Sequence, residues 1–349
     1  MKSIIRYLLV VVCVVAAVSN FVVAQDLSAE LSRVGTLNVK NYVSPIFNGF
    51  SADLNSGFYH SADLHGVLGF DVGVKLGLAM ITDADRKYDF ITPDHISIKN
   101  PAIPTQTISL DAGTDYDAVV SGVPTAVGDK NTKYYVKMIR STSDPIKQAI
   151  FDNLVSQHGS NNLFQIPNGF DLAAVPLPMP QAAIGLPFGL EVIVRFIPTV
   201  SATDAGKFNY MGFGLRYNVD QWIPMFPLDV AVHFMTQKMN FTSKDDKDIF
   251  KATGIAYGLE VSKKLLFLTV YGGLQLEKST FTLSQLDGKF TTPDGTETPF
   301  TIPEMTFDGK NKSRATLGVR LLLLIVNVHA EYSFAKTPVA AIGVGISLR

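Results

Sequence analysis

Large apolar and small or polar residues alternate strictly over long stretches of this chain. From Leu68 to Met80 every even-numbered residue is large and apolar, whereas the odd-numbered positions include Asp71, Lys75 and three glycines. A period of two places the two sets on opposite faces of a β-strand. The pattern recurs over 184–196, 211–219, 228–234, 255–261, 266–276, 317–321, 326–334 and 340–348. The alternation therefore predicts an all-β fold.

Two all-β architectures produce such alternation, and the lengths of the segments favour one of them. A soluble sandwich has strands of about 5–6 residues and a solvated outer face, whereas a tilted spanning strand of an outer-membrane barrel needs about 9–11 residues. The segments at 64–80 and 266–284 are long, and their non-apolar face is mostly small residues with isolated charges. We therefore expect a transmembrane antiparallel β-barrel of about 10–14 strands with lipid on its apolar face.

Composition agrees with a membrane barrel and excludes other classes of protein. Charged residues make up 17 % of the chain and hydrophobic residues 47 %, which excludes a disordered chain. The net charge of −1 offers no electrostatic footprint for nucleic acid. The chain has a single cysteine, Cys13. Disulfide scaffolds and thiolate zinc sites are therefore not expected.

The N-terminus has the pattern of a secretory signal peptide. Lys2 and Arg6 precede the apolar run Tyr7–Val18, and small residues end at Ala24. We therefore expect residues 1–24 to be removed and the mature chain to lie in the cell outer membrane. Residues 25–60 do not alternate and are expected to form a plug or hatch, with a mobile tail as the alternative. Residues 61–349 would then form the barrel.

A long insert interrupts the barrel at 81–182. Within it Asp144 is a suitable helix cap, Pro145 suits the first helical position and Gly159 suits the end, which predicts a short helix over 145–158. The proline-rich run Val175–Pro180 follows, and prolines at every second position argue against a central strand there.

Two sets of residues are candidates for a site. Charged residues on the polar parity of the strands should face the lumen, where they would either pair in a network that closes it or line a transport path. These are Asp71, Lys75, Glu191, Arg195, Arg216, Asp229, Glu260, Glu277, Arg320 and Glu331. Large apolar residues after the helix should either pack on the barrel rim or form a cleft for a ligand. These are Leu163, Phe164, Ile166, Phe170, Leu172, Val175, Leu177 and Met179.

The stretch Phe58–Leu64, which reads Phe-Tyr-His-Ser-Ala-Asp-Leu, enters the first long strand. It resembles the Phe-Tyr-Asn-Pro-Ala-Gly-Leu junction between plug and first strand in the long-chain fatty-acid transporter family of Gram-negative outer membranes. The runs 175–181, 185–191 and 195–198 are closer to an uncharacterised branch of such barrels. The resemblance implies a barrel with an N-terminal hatch and hydrophobic cargo.

No motif for catalysis is present: the chain has no G-x-S-x-G, H-E-x-x-H or P-loop pattern. We expect no enzyme activity, no cofactor and no metal site. Our interpretation is a passive outer-membrane channel for small hydrophobic compounds of the fatty-acid kind, with membrane lipid and a hydrophobic small molecule as partners. The alternative is a plugged structural or assembly barrel that serves a secretion or surface complex.

Overall fold

A computed structural model describes residues 28–99, 103, 105–141, 143–201, 206–223, 226–243, 246–291 and 297–348. The predicted signal peptide at 1–24 lies outside this range. The described helices are α1 (Ser28–Leu54) and α2 (Pro145–His158). Neither of them combines the length and the apolar composition that crossing a bilayer as a helix would require.

The strands follow one another from Phe70 to Leu348. In chain order they are β1 (Phe70–Met80), β2 (Lys87–Ile91), β3 (His95–Lys99), β4 (Thr107–Asp111), β5 (Val119–Pro124), β6 (Tyr134–Lys137), β7 (Asn162–Ile166), β8 (Ala174–Leu186), β9 (Leu190–Ser201), β10 (Lys207–Asn218), β11 (Asp229–Thr242), β12 (Asp248–Leu265), β13 (Leu268–Leu283), β14 (Leu286–Thr291), β15 (Glu297–Ile302), β16 (Met305–Asp308), β17 (Ser313–Leu323), β18 (Val326–Phe334) and β19 (Val339–Leu348).

The chain divides into two compact units. The first contains the residues up to Pro45, Thr82–Leu172 and Gln285–Glu304. The second contains Ile46–Ile81, Ala173–Ser284 and Met305–Arg349. The part of α1 up to Pro45 therefore belongs to the first unit, and the part from Ile46 to Leu54 belongs to the second.

The second unit is a closed antiparallel β-barrel. Its strands follow the order β12-β11-β10-β9-β8-β1-β19-β18-β17-β13, and β13 pairs with β12 to close the ring, so that ten strands form the wall. The short strand β16 pairs only with the C-terminal part of β13, where Met305 pairs with Leu283. The predicted all-β barrel is confirmed, with the strand number at the lower end of the expected range.

The polarity of this barrel is the reverse of that of a soluble protein. Val72 and Val74 of β1 are 51 % and 48 % exposed, whereas Asp71 and Lys75, which flank them in the strand, are 4 % and 3 % exposed. The other strands repeat this arrangement, with exposed side chains such as Phe213, Leu259, Leu274, Val319, Val328 and Ile342 on the outside. The wall therefore presents apolar side chains outward and polar side chains inward.

Strand β8 contradicts the expectation that the proline-rich run lies outside the sheet. Gly185 donates its N–H to Gly69 and accepts from Leu68, so the odd-numbered residues of β8 direct their backbone groups towards β1. Pro176, Pro178 and Pro180 are even-numbered, and their missing N–H groups would have pointed towards β9. The prolines therefore cost β8 no hydrogen bond with β1, and the run joins the wall.

On its β9 side, β8 is paired over only half of its length. Gln181 pairs with Arg195, and the pairing continues from there to Leu186 and Leu190. Among the described residues nothing pairs with the β9-facing edge of Ala174–Pro180 or with the β8-facing edge of Phe196–Ser201. We call this interval of the wall the β8–β9 seam.

Besides the first part of α1, the first unit contains four two-stranded sheets and α2. Strands β2 and β5, β3 and β4, β6 and β7, and β14 and β15 pair with each other. The prediction of a helix over 145–158 is confirmed: Asp144 caps the N–H groups of Ile146 and Lys147, and Gly159 ends the helix in a left-handed conformation. Ile150 of this helix lies in a core with residues of the hairpins.

Candidate functional site

The residues from Ala52 to His65, which we call the lumenal segment, lie inside the barrel and are bound by side chains of its wall. All ten wall strands contribute a side-chain hydrogen bond to it. The contributing residues are Lys75, Gln181, Arg195, Arg216, Gln237, Ser262, Gln275, Arg314, Glu331 and Ser347. Most of these bonds go to backbone carbonyls, which exist whatever the side chains of the segment are.

Arg195 of β9 holds the C-terminal end of α1. Its Nη2 donates to the Ser56 carbonyl at 2.7 Å and its Nη1 to the Leu54 carbonyl at 3.4 Å. Its Nε donates to Gln181 at 2.9 Å, and the guanidinium lies 4.6 Å from the centre of the Phe58 ring. The last carbonyls of a helix carry partial negative charge, which a cation stabilises. Arg195 is fully buried. Within the described part of the chain, all the acceptors of its hydrogen bonds are neutral.

Arg216 of β10 lies between two buried carboxylates. It donates from Nη1 to Glu191 at 2.6 Å and from Nε to both oxygens of Glu260 at 3.2 Å. Its Nη2 also donates to the Ser61 carbonyl. Both glutamates are 0 % exposed, so the arginine compensates charge that water cannot reach. This cluster links three wall strands to the lumenal segment.

A second polar cluster surrounds Gly57. Lys75 donates to the Gly57 carbonyl, and the Gly57 N–H donates to Glu331 at 3.1 Å. The other oxygen of Glu331 accepts from Tyr271 at 3.0 Å. Gly57 has φ of +66°, in the left-handed region that favours glycine. The turn after α1 is therefore fixed both by its backbone conformation and by side chains of the wall strands β1 and β18.

Glu191, His65 and Ser347 form a chain of hydrogen bonds. His65 Nδ1 lies 2.6 Å from Glu191 and its Nε2 lies 3.1 Å from the Ser347 hydroxyl. This is the order of groups in a serine hydrolase. Ser347 is only 4 % exposed, however, and its oxygen also accepts from Arg320 at 3.1 Å. The arrangement thus ties the lumenal segment to β9 and β19.

The ten charged residues that parity assigns to the lumen all lie on the inner face. Nine of them are buried and Asp229 is half-buried, at 2.9 Å from Ser262. Glu277 makes a bidentate pair with Arg314, at 2.7 and 2.9 Å. Arg314 and three inward-facing glutamines were missed, although their position on the polar parity of their strands is the signal that would have identified them. The glutamines are Gln181, Gln237 and Gln275.

The eight apolar candidate residues do not form one cleft, because they divide between the two units. Leu163, Phe164 and Ile166 pack against the core of the first unit, which Ile150 of α2 shares. Phe170 and Leu172 lie in a loop of the same unit and donate backbone hydrogen bonds to Ala126 and Val127. All five residues are therefore bound or packed within the first unit.

The other three apolar candidates, Val175, Leu177 and Met179, belong to β8 in the barrel. They are 2 %, 2 % and 0 % exposed and face inward along the seam. A Cβ added to Gly49 of α1 would lie 2.5 Å from Val175 Cγ2, so the helix backbone approaches the strand closely there. The inner side of the seam is therefore covered by α1, while Pro176, Pro178 and Pro180 line its outer side.

The first unit carries a separate surface cluster of charges. Lys147 of α2 donates to Asp115 at 2.5 Å, and His95 Nδ1 lies 2.7 Å from Asp111. The hydrogen bond to Asp115 raises the pKa of Lys147, and the hydrogen bond from His95 lowers the pKa of Asp111. Among the described residues no three His, Cys, Asp or Glu side chains are grouped to hold a metal ion.

Solved structures that share features with this chain include outer-membrane proteins. Ail of Yersinia pestis is 13 % identical, over 41 % of this chain and 82 % of that one, with a TM-score of 0.21. The translocator domain of the autotransporter NalP from Neisseria meningitidis is 10 % identical, over 82 % and 90 %, with a TM-score of 0.25. The monoaromatic hydrocarbon channel CymD is 8 % identical, over 82 % and 90 %, with a TM-score of 0.22.

These TM-scores are too low to establish a shared topology, so the fold rests on the strand pairing described above. No curated protein matches the chain. The long-chain fatty-acid transporter family, which Phe58–Leu64 resembles, is not the family that matches. Residues 1–348 match the model of DUF6588, a family of unknown function, and the chain belongs to that family.

Proposed function

We propose that this protein is an outer-membrane channel through which small hydrophobic compounds of the fatty-acid class pass passively, by way of the β8–β9 seam. The apolar outer face supports the membrane location, because a wall with Val72 and Val74 outward and Asp71 and Lys75 inward suits lipid outside and a polar interior. Outside the seam, the closed barrel also satisfies its backbone groups without water.

The unpaired seam carries the proposal. A barrel wall normally pairs every strand along its length, since an unpaired backbone group in lipid is costly. Here Pro176, Pro178 and Pro180 remove the donors from the edge of β8 that faces β9, so this part of the wall lacks the β8 donors that pairing with β9 would need. If the pairing continued in register, Pro178 would face Pro198, and neither has an N–H.

The lining of the seam fits an apolar chain with an acidic head. Pro176, Pro178 and Pro180 lie on the outer side, and Val175, Leu177 and Met179 lie on the inner side. Arg195 and Gln181 are the pair of residues at which the seam begins. The acceptors of Arg195 within the described chain are neutral. A carboxylate arriving there would meet a buried cation. The end of α1 behind Val175 acts as the gate that must shift.

The test is uptake of a fluorescent long-chain acid into vesicles that contain the purified protein. The triple variant Pro176→Val/Pro178→Val/Pro180→Val restores three N–H donors and keeps the face apolar, so that β8 and β9 can pair and uptake should fall. Leu76→Val/Leu78→Val on the neighbouring strand β1 is the matched control and should transport normally. Equal uptake by the triple variant and the wild type would contradict the seam and favour the assembly-barrel alternative.

An acyl hydrolase is a second candidate, favoured only by the Glu191–His65–Ser347 chain. We propose that the protein is not an enzyme, because the hydroxyl is buried and already accepts from Arg320. A fluorophosphonate probe should therefore leave the protein unlabelled. Labelling that disappears in Ser347→Ala would establish the hydrolase instead.

A further inference from the structure

Large apolar residues occupy the tips of the turns at one end of the barrel. The strand pairing brings five connections to this end: the one before β1, and the turns β8–β9, β10–β11, β12–β13 and β17–β18. They are spaced two strands apart around the ring. The exposed tip residues are Leu68 (73 %), Phe188 (86 %), Trp222 (72 %), Leu266 (87 %) and Leu324 (96 %). We call these five residues the apolar ring.

Four of these five residues have a backbone conformation that L-residues seldom adopt. The φ angles of Leu68, Phe188, Leu266 and Leu324 are +66°, +67°, +56° and +56°. Turns in water fill such positions with glycine, asparagine or aspartate, which adopt the left-handed region at little cost and are solvated well. A leucine there is both strained and exposed. Turn chemistry alone therefore does not explain the ring.

The opposite end of the same barrel follows the usual rule. In the β11–β12 connection the left-handed residue is Asp246, with φ of +60°, and it pairs with Lys207 at 2.7 Å. Between β9 and β10 the left-handed position is Gly206, with φ of +130°. At the described residues with positive φ, the two ends thus carry opposite chemistry, which indicates that they lie in different solvents.

The apolar ring continues the apolar outer face without a polar interval on several strands. On β13 exposed residues run from Leu266 at the turn through Val270 to Leu276, after which Lys278 begins the polar part. Ten residues of a tilted strand span about 25 Å, the height of the apolar band of membrane barrels. If the band began at Val270 and left out the turn, its height would be only about 15 Å. The tip residues therefore complete the band.

We propose that phospholipid covers the apolar ring, so that the turn tips lie within the bilayer and not in the aqueous phase. This inference rests on the proposed membrane location. The tips form a convex ring around the whole barrel, which suits a continuous lipid phase. The exposed Lys264 stands beside the Leu266 tip, where it can reach anionic headgroups, and the neighbouring Lys263 donates to the Pro227 carbonyl.

Trp222 also fits burial in lipid. Its indole N–H, the only polar group of the side chain, donates to the Tyr217 hydroxyl at 2.6 Å, so the ring requires no partner from water. It is the single tryptophan of the chain. The wild-type protein therefore carries one indole fluorophore, placed at the end of the barrel that the proposal concerns.

The first experiment measures Trp222 fluorescence in vesicles that contain phospholipids brominated along the acyl chain. Blue-shifted emission and strong quenching are expected. The control Trp222→Phe/Tyr257→Trp moves the fluorophore to the apolar outer face of β12, where Tyr257 pairs with Leu276, and Trp222→Phe/Val155→Trp moves it to α2. If Tyr257→Trp is quenched and Trp222 is not, the ring lies in water and the inference is wrong, while the membrane barrel stands. If neither is quenched, the proposed function itself fails.

A second experiment uses the sign of a stability change. Leu266→Asn/Leu324→Asn relieves the left-handed strain, so the variant should be more stable than the wild type if the tips lie in water. If lipid covers the tips, burying two amides outweighs that relief, and the urea midpoint for unfolding from vesicles should fall. Asp246→Asn, at a left-handed position of the opposite end, is the matched control and should leave the midpoint unchanged. A higher midpoint for the double variant would overturn the inference.

Discussion

Arg195 of β9 donates a hydrogen bond from Nη2 to the backbone carbonyl of Ser56, at 2.7 Å, in the interior of the barrel. The same guanidinium reaches the carbonyl of Leu54, the last residue of α1. A wall strand thereby fixes the point at which the helix ends and the lumenal segment turns. This contact connects the alternation of the strands, which directs Arg195 inward, to the position of the lumenal segment.

Replacing Arg195 should loosen the lumenal segment. Arg195→Met keeps the length of the side chain and leaves buried carbonyls without a donor, at a cost of about 1–3 kcal/mol in the free energy of unfolding. The urea midpoint of the detergent-purified protein measures this. Lys207→Met, which removes an exposed cation of the same barrel, should have little effect. Equal effects of both changes would mean that the segment is not held by Arg195.

Replacing Arg216 alone should destabilise the protein far more than replacing it together with Glu191 and Glu260. Arg216→Met leaves Glu191 and Glu260 buried without a counter-charge and should cost about 3–5 kcal/mol. In the triple variant Arg216→Met/Glu191→Gln/Glu260→Gln most of this loss should be recovered, because no buried charge remains. Unfolding midpoints of the two variants provide the measurement. The charge argument is wrong if the triple variant is no more stable than the single one.

A methyl group at Gly49 should destabilise the barrel although alanine favours helices. In an exposed helix Gly→Ala gains about 1 kcal/mol, but here the new Cβ would lie 2.5 Å from Val175 Cγ2. Overpacking of this kind costs about 1–3 kcal/mol. Gly49→Ala/Val175→Ala should be less destabilised than the sum of its single changes. Additive effects, read from thermal unfolding, would show that the helix and strand do not meet at this point.

An arginine on the outer face should impair membrane insertion. Val72 is 51 % exposed in the apolar band, and Val72→Arg should cost about 2–4 kcal/mol if lipid covers it. Thr253→Arg places the same charge on an exposed residue of β12 beyond the band and should be tolerated. Folding yields into vesicles compare the two. Similar yields would contradict the membrane location.

The ion pair between Lys147 and Asp115 should make the first unit sensitive to high pH. Because the folded pKa of Lys147 is raised, its contribution is complete below the unfolded pKa of about 10.4 and is lost as the pH rises through the folded pKa. The contribution of Asp111, whose pKa is lowered, is present above about 3.9 and is lost as the pH falls through its folded pKa.

Proteolytic cleavage within residues 82–172 is the measurement. For the wild type its rate should rise at alkaline pH, whereas Lys147→Met should be cleaved faster at neutral pH and lose the alkaline increase. Lys133→Met removes another lysine of the same unit and serves as the control. An unchanged alkaline increase in Lys147→Met would exclude this ion pair as its cause.

The sequence by itself determined the features that repeat along the chain or lie close together in it. Alternation over 68–80 and its repeats predicted the barrel, the outward apolar face and the inward position of charges such as Glu191, because strand geometry alone relates parity to face. The helix at 145–158 was predictable because its cap at Asp144 and its end at Gly159 act through neighbouring residues.

Only the tertiary structure decided how distant segments meet. Prolines argued against a strand at 175–180, but whether a missing N–H matters depends on which neighbour that edge faces, and β1 lies on the other side. Likewise, parity placed Arg195 inside without revealing that it would bind Ser56, 139 residues earlier in the chain. Closure of the ring decides the number of strands, the seam and the partners of the buried charges. No local sequence pattern encodes this closure.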